Sequence, residues 1–337
     1  MTDPAALGFH MPPEWARHAR SWMAWPCREE TFPDSLEAAR DAYAAVARAI
    51  ARFEPLSMVV NPGEEADART RCGSRVDIVV RPHDDSWMRD IGPTFLIDGK
   101  GGLGAVDWRF NAWGGNFAGH AGDAAMAEGL AELTGAKRFQ APIFMEGGAI
   151  HTDGEGTLIT TDSVVLNPNR NPGLTRAEAE KIFRAFLGIE KTIWLEAPLE
   201  YDDTDGHIDN LICFARPGLA LALDEPDPAD PHHAGLRENI RRLRAETDAR
   251  GRPFEVVPLV EPRRREMDGH RLAASYINFY ICNDAVIVPV FNDPGDQAAL
   301  TAIAACFPGR QTVAVPGLDI VRGGGCVHCI TQQQPEV

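Results

Sequence analysis

Residues 156–188 read GTLITTDSVVLNPNRNPGLTRAEAEKIFRAFLG, and the fold turns on how they divide. GTLITT (156–161) is rich in β-branched residues, and SVVLNP (163–168) has the same character after a Thr-Asp turn signal. TRAEAEKIFRAFLG (175–188) changes period: its apolar residues recur three and four positions apart, as on one helix face. It opens with Thr175 three residues before Glu178, a capping box. The stretch predicts two strands and then an amphipathic helix.

The same order recurs along the chain. Further helices are expected at DSLEAARDAYAAVARAIARF (34–53), GDAAMAEGLAELTG (122–135), HAGLRENIRRLRAETDARG (233–251) and DPGDQAALTAIAAC (293–306). In the last, Asp293 is placed to cap and Pro294 sits in the first turn. Strand-like runs lie between them: SMVVNP (57–62), VDIVVRP (76–82), TFLID (94–98), LGAVDWRF (103–110), HIDNLICFA (207–215), LALAL (219–223), FEVVPLV (254–260), YINFYIC (276–282) and AVIVPVF (285–291). Turn signals join several of them, at DGKGG (98–102), RPG (216–218) and ND (283–284). The four later helices begin roughly sixty residues apart, a spacing that points to a repeat architecture. The expectation is one α/β domain over residues 1–337, built as five pseudo-repeats of hairpin, helix and strand that close into a ring. An ordinary two-domain α/β protein is the alternative. DEPDPADPHH (224–233) reads as a surface loop.

Composition narrows the function. The 337 residues are 44% hydrophobic and 24% charged, with a formal net charge of −16. So acidic a chain repels phosphate backbones, which makes nucleic acid a poor partner and a small cation an acceptable one. No run is long and apolar enough to span a bilayer, and MTDPAALGFHMPPEW lacks the pattern of a signal peptide. A cytoplasmic location without a membrane partner is expected, and a homodimer is compatible with the sequence. The cysteines number seven and are scattered, so a disulfide framework is not expected. Cys213 and Cys282 lie in apolar runs and read as core.

Polar residues that interrupt the strand pattern gather in three places. DDSWMRDIGP (84–93) sets Asp90 before a Gly-Pro turn, and FMEGGAIHTDGEG (144–156) sets Glu146 before two glycines. YDDTDGHIDN (201–210) sets His207 and Asp209 two apart at the start of an apolar run, where strand geometry would aim both the same way. Each has a plainer reading: Asp90 pairing with Arg89, Glu146 solvated in a loop, His207 structural.

GGGCVHCITQQ (323–333) is harder to set aside. Three glycines let a backbone approach something closely. Zinc would want a second pair of ligands, and Cys27 and Cys72 form no second CxxC. A redox dithiol would normally open a helix, for which CITQQQPEV leaves little room. The third reading is a cysteine nucleophile served by histidine and carboxylates from elsewhere. Carboxylates in that number suit a cationic electrophile such as a guanidinium.

With these blocks in hand, the sequence resembles the agmatine deiminase family, also called the Porphyromonas-type peptidyl-arginine deiminase family, of the guanidine-modifying superfamily. The resemblance runs through MPPEWARHARSWMAWP (11–26), WMRDIGP (87–93), WRFNAWGG (108–115), MEGGAIHTDGEGTLITT (145–161) and LNPNRNPGLTRAE (166–178). It continues through DGHIDN (205–210), SYINFY (275–280) and GGGCVHCITQQQP (323–335). It implies a five-bladed α/β propeller, the pentein fold, with no metal and no organic cofactor. It implies Cys329 as nucleophile, His207 as acid and base, Asp90 and Asp209 as guanidinium ligands, and Glu146 as the acid that orients His207. Asp203 matches the position that holds the distal amine. Trp87 is a candidate stacking partner with a core place as its alternative, and Asn278 is a further candidate contact. Cys326 stands where family members often have Asn or another residue, and is expected to be a neutral variant. The implied reaction is hydrolysis of agmatine to N-carbamoylputrescine and ammonia through a covalent thiouronium on Cys329. A peptidyl-arginine or other guanidine deiminase is the runner-up, and a CxxC metal or redox protein the alternative from another class.

Overall fold

The computed structural model describes residues 3–33, 35–197, 199–267 and 269–337. Asp34, where the first expected helix begins, lies outside the described residues, as do Met1 and Thr2.

Five units of one design follow one another. The second holds β4 (Thr94–Ile97), β5 (Leu103–Arg109), α2 (Met126–Thr134) and β6 (Lys137–Phe144). The third holds β7 (Ile150–Thr152), β8 (Thr157–Thr161), α3 (Arg176–Leu187) and β9 (Lys191–Leu195). The fourth holds β10 (Ile212–Arg216), β11 (Leu219–Asp224), α4 (His233–Ala245) and β12 (Glu255–Val260). The fifth holds β13 (Tyr280–Ile281), β14 (Ala285–Val290), α5 (Asp296–Cys306) and β15 (Gln311–Pro316). In each, an antiparallel pair leads into the helix, and the helix returns the chain to a third strand parallel to the second.

The first unit differs. β1 (His18–Ala24), α1 (Leu36–Ile50) and β2 (Leu56–Val60) form the parallel half, and β3 (Val76–Val80) extends it. Its antiparallel partner is the last strand, β16 (Gln332–Pro335), with Trp22 opposite Gln332. The two ends of the chain therefore share one sheet, as a ring of repeats requires.

Local chemistry explains the elements. Thr175 accepts from the Glu178 N–H while Glu178 accepts from the Thr175 N–H, so the capping box of α3 forms as read. Gly188, at φ 73°, ends the helix in the left-handed conformation that glycine adopts without strain. Ala179, Phe183, Phe186 and Leu187 form its buried face. Phe183→Ala would cost about 3–5 kcal/mol, the price of a lost core aromatic. α1 buries Ala39, Ala42, Tyr43, Val46, Ala47 and Ile50 along one stripe. β2 and β11 are buried on both faces, which accounts for their unbroken apolar sequences. No helix among the described residues is long and apolar enough to cross a membrane.

Several sequence expectations need correction. SVVLNP forms a helical turn at Asp162–Val165, not a strand. Val164 and Val165 are buried all the same, and an apolar run alone does not separate the two structures. The true partner of β8 is β7, across DGEG. YINFYIC contributes only Tyr280–Ile281. The helix expected at 233–251 stops at Ala245, the one at 122–135 is broken at Ala125, and the fifth begins at Asp296. Asp293 still caps that turn by accepting from the Gly295 N–H.

Candidate active site

The repeat decides where the polar groups meet. Asp90 precedes β4, Glu146 precedes β7, His207 and Asp209 precede β10, Asn278 precedes β13, and Cys329 precedes β16. Each antiparallel pair thus begins with a segment bearing one or two of these side chains. Hydrogen bonds link the segments in a circuit. Arg89 N donates to Cys329 O (3.0 Å), and Gly148 N donates to Asp90 Oδ1 (2.9 Å). Across from them, Asn278 Nδ2 donates to Asn210 Oδ1 (2.9 Å) and His328 N donates to Asn278 Oδ1 (2.9 Å).

His207 and Asp209 converge, though not for the reason the sequence suggested. They flank and enter a 3₁₀ turn, Ile208–Asn210, and the strand starts only at Ile212. Gly148 measures the convergence. A Cβ there would lie 2.5 Å from His207 Nδ1, 3.0 Å from Asp209 Oδ2 and 3.0 Å from Asp90 Oδ1. Only glycine fits there, because two carboxylates and an imidazole crowd its α-carbon. His207 Nδ1 and Asp209 Oδ1 are buried without a partner, a costly state that a bound donor or acceptor would relieve.

Cys329 Sγ sits between a donor and an acceptor: Asn278 Nδ2 at 3.1 Å and Asp209 Oδ2 at 3.4 Å. Cys326 turns the other way, with Sγ 3.9 Å from Gly317 O. All seven cysteines are free. The three glycines before them have separate reasons. Side chains on Gly323 and Gly325 would strike the Phe32 and Trp87 rings, and Gly324 holds a φ of +102°, where a Cβ would lie 3.2 Å from Asp203 Oδ2. Trp87 takes the core place weighed for it, stacked on Phe32, and also lines the cavity.

That cavity is a narrow cleft of about 360 Å³ once the solvent at its open side is counted. Trp87, Trp113 and Phe117 give it apolar walls, and Asp90, Cys329, Asp203 and Thr204 line it as well. Asp203 is exposed. Trp113 donates its indole N–H to Asp90 Oδ2 (2.9 Å).

The electrostatics follow from burial and pairing. Burial would lower the pKa of His207, but Asp90, Glu146 and Asp209 outweigh it and raise the value to about 9. Burial raises Asp90, a shift that His207 only partly offsets. Burial also acts to raise Asp209 and Glu146, yet both end low: His328 holds Asp209 down, and His207 with Arg170 holds Glu146 down. Cys329 is pushed well above the usual thiol range by burial, then by Asp209 and Asp90. At neutral pH the unliganded site therefore pairs a neutral thiol with an imidazolium.

Sequence reasoning missed several supporting residues. Arg89 does not pair with Asp90; it donates to Gln332 Oε1 (2.7 Å) and faces Glu14 (3.5 Å). Arg170 donates to Glu146 (2.9 and 3.1 Å) and to Thr204 O (3.1 Å). An arginine among turn formers in LNPNRNPG was the available signal. The 224–233 loop is tied down by Arg271, which donates to Asp230 (2.7 Å) and Glu261 (2.8 Å). Asp230, His232 and Glu261 lie close enough to hold a metal. The Arg271 guanidinium already supplies a cation there, and His232 Nε2 accepts from Glu200 N.

The chain belongs to the Porphyromonas-type peptidyl-arginine deiminase family, whose model matches residues 10–335. A protein of Streptomyces avermitilis is 49% identical over 345 residues, covering all of both chains. The agmatine deiminase of Pseudomonas aeruginosa is 43% identical and covers 99% of this chain and 97% of its own. The solved agmatine deiminase of Enterococcus faecalis superposes with a TM-score of 0.95 at 32% identity, over 100% of this chain and 98% of that one.

Proposed function

We propose that this chain hydrolyses agmatine to N-carbamoylputrescine and ammonia, acting in the cytoplasm as one catalytic domain over residues 1–337. The convergence at Gly148 carries the reading: two carboxylates and an imidazole crowd one glycine beside a buried thiol. A planar guanidinium beside Cys329 would be held through paired, charge-assisted hydrogen bonds to Asp90 and Asp209. Its positive charge offsets the two groups that hold up the Cys329 thiol, which then loses its proton to solvent and attacks as thiolate.

The tetrahedral adduct breaks its carbon–nitrogen bond as His207 gives its proton to the departing nitrogen, and ammonia leaves. A thiouronium remains on Cys329. Neutral His207, oriented by Glu146, takes a proton from water, and the hydroxide adds to the same carbon. Collapse breaks the carbon–sulfur bond, the hydroxyl proton passes to solvent, and the ureido product and the thiolate are freed. Asn278 Nδ2 donates to sulfur at the stages where it carries charge. Every proton and electron pair is supplied by these side chains, water and substrate, so the reading calls for no cofactor.

The lining of the cavity favours a decarboxylated substrate. Its apolar walls suit a tetramethylene chain, Asp203 suits an ammonium, and no Arg or Lys among the lining residues would hold a carboxylate. Neither nucleic acid nor a membrane is a partner in this reading.

Ureido product should be measured in parallel with agmatine, free arginine and a short arginine peptide, with Cys329→Ser as control. Turnover of agmatine alone, lost in the variant, is expected. Turnover of the peptide would reassign the chain to protein deimination, and wild-type silence on all three would sink the reading.

A further inference from the structure

The side chain next to the candidate nucleophile has its own buried circuit, which no step above uses. His328 Nδ1 lies 2.9 Å from Asp209 Oδ2, and His328 Nε2 lies 2.8 Å from Glu14 Oε1. All three residues are buried. A neutral imidazole has one N–H and could satisfy only one of these carboxylates, whereas an imidazolium donates to both. Arg89 NH1 stands 3.5 Å from Glu14 Oε1, and its Nε donates to His328 O (3.4 Å). The His151 ring lies 6.4 Å from the His328 ring, with its Nε2 3.5 Å from Glu14 Oε2.

The geometry has a directional consequence. Asp209 Oδ2 is taken up by His328 and the Cys329 thiol, which leaves Oδ1 buried and unpartnered. A carboxylate gripped through one oxygen cannot rotate the other away.

We propose that His328, clamped by Glu14, is a positioning residue that fixes the rotation of Asp209 so that one carboxylate oxygen stays free for the guanidinium. The N-terminal segment carrying Glu14 thereby takes part in substrate binding without touching substrate. The inference rests on the guanidine reading above.

Two conservative variants separate positioning from bulk packing. His328→Asn keeps a donor near the Nδ1 position, toward Asp209. His328→Gln keeps one near the Nε2 position, toward Glu14. Steady-state kinetics with agmatine should show His328→Gln raising KM about tenfold or more, since a misplaced binding group costs up to ~100-fold, while His328→Asn stays close to wild type. Glu14→Gln, which leaves both histidine contacts possible, should raise KM less than His328→Gln.

A second readout does not depend on turnover. 2-Chloroacetamidine, a planar amidinium that alkylates thiols, is compared with neutral iodoacetamide. Wild type should prefer the amidinium, and His328→Gln should erase that preference. If wild type ignores agmatine yet keeps an amidinium preference that His328→Gln abolishes, the substrate reading falls and the positioning role stands. A His328→Gln protein with wild-type KM and preference would overturn the positioning role. So would equal losses in the Asn and Gln variants with KM unchanged.

Discussion

Trp113 donates its indole N–H to Asp90 Oδ2 over 2.9 Å from a backbone held in the left-handed region at both Ala112 (φ 56°) and Trp113 (φ 53°). Neither residue is glycine, so each position carries about 1–3 kcal/mol of strain that the surroundings must hold. The strained turn ties the wall of the cavity to a carboxylate that lines it. Trp113→Phe keeps an aromatic wall and deletes the donor. Its kcat/KM for agmatine should fall about tenfold, near the worth of one hydrogen bond to a charged group. Unchanged kcat/KM would show that Asp90 needs no such partner.

Gly148 gives the sharpest steric test. Gly148→Ala sets a methyl 2.5 Å from His207 Nδ1 and 3.0 Å from Asp90 and Asp209. Turnover should be lost and the thermal unfolding midpoint should fall, because His207 and the two carboxylates must shift to admit the methyl. Turnover that survives the substitution would show that this convergence is not needed for the reaction.

The pH profile should carry the signature of His207. In the free protein its pKa is raised to about 9, with Asp90 the leading cause that opposes burial. Leaving-group protonation needs the charged form, so kcat/KM should descend as pH passes through about 9. Glu146→Gln removes one of the raising partners and should move that limb to lower pH. Stability follows the same sign. The folded value lies above the ordinary one of about 6.5, so this contribution is complete below about 6.5 and is lost as pH rises through the folded value. A limb that stays in place in Glu146→Gln would rule out His207 as its source.

The two cysteines of GGGCVHC should separate cleanly. Cys329→Ser should abolish turnover, while Cys326→Ser, whose sulfur faces Gly317, should keep most of it. Comparable loss in both would overturn Cys329 as the nucleophile.

Much of this architecture was legible because helix periodicity and turn chemistry are local. Thr175 with Glu178 announced α3, and DGKGG, RPG and ND marked three of the hairpins that form. SVVLNP misled because Val164 and Val165 are buried in a helical turn, where β-branched content gives no warning. β1, β6, β9 and β15 went unread: each finds its partner across a long separation, and pairing overrides weak local preference. At the site, Asp90, Glu146, His207, Asp209 and Cys329 stood out as polar breaks in apolar runs. Their supports, Arg170, Trp113 and Glu14, looked like ordinary loop or helix residues. Only the three-dimensional arrangement shows that their buried polar atoms face one another.

The pairing of the last strand with the first also bears on synthesis. Trp22 and Gln334, 312 positions apart, are joined by a hydrogen bond. A growing chain can complete four hairpins locally, but β1 has no antiparallel neighbour until β16 leaves the ribosome. Cys329 emerges just ahead of β16. A nascent chain therefore carries an open sheet edge and an unassembled thiol together, and both are resolved in one late step. Closing so distant a contact is slow compared with local hairpin formation, so the onset of thiol chemistry would report the completion of folding.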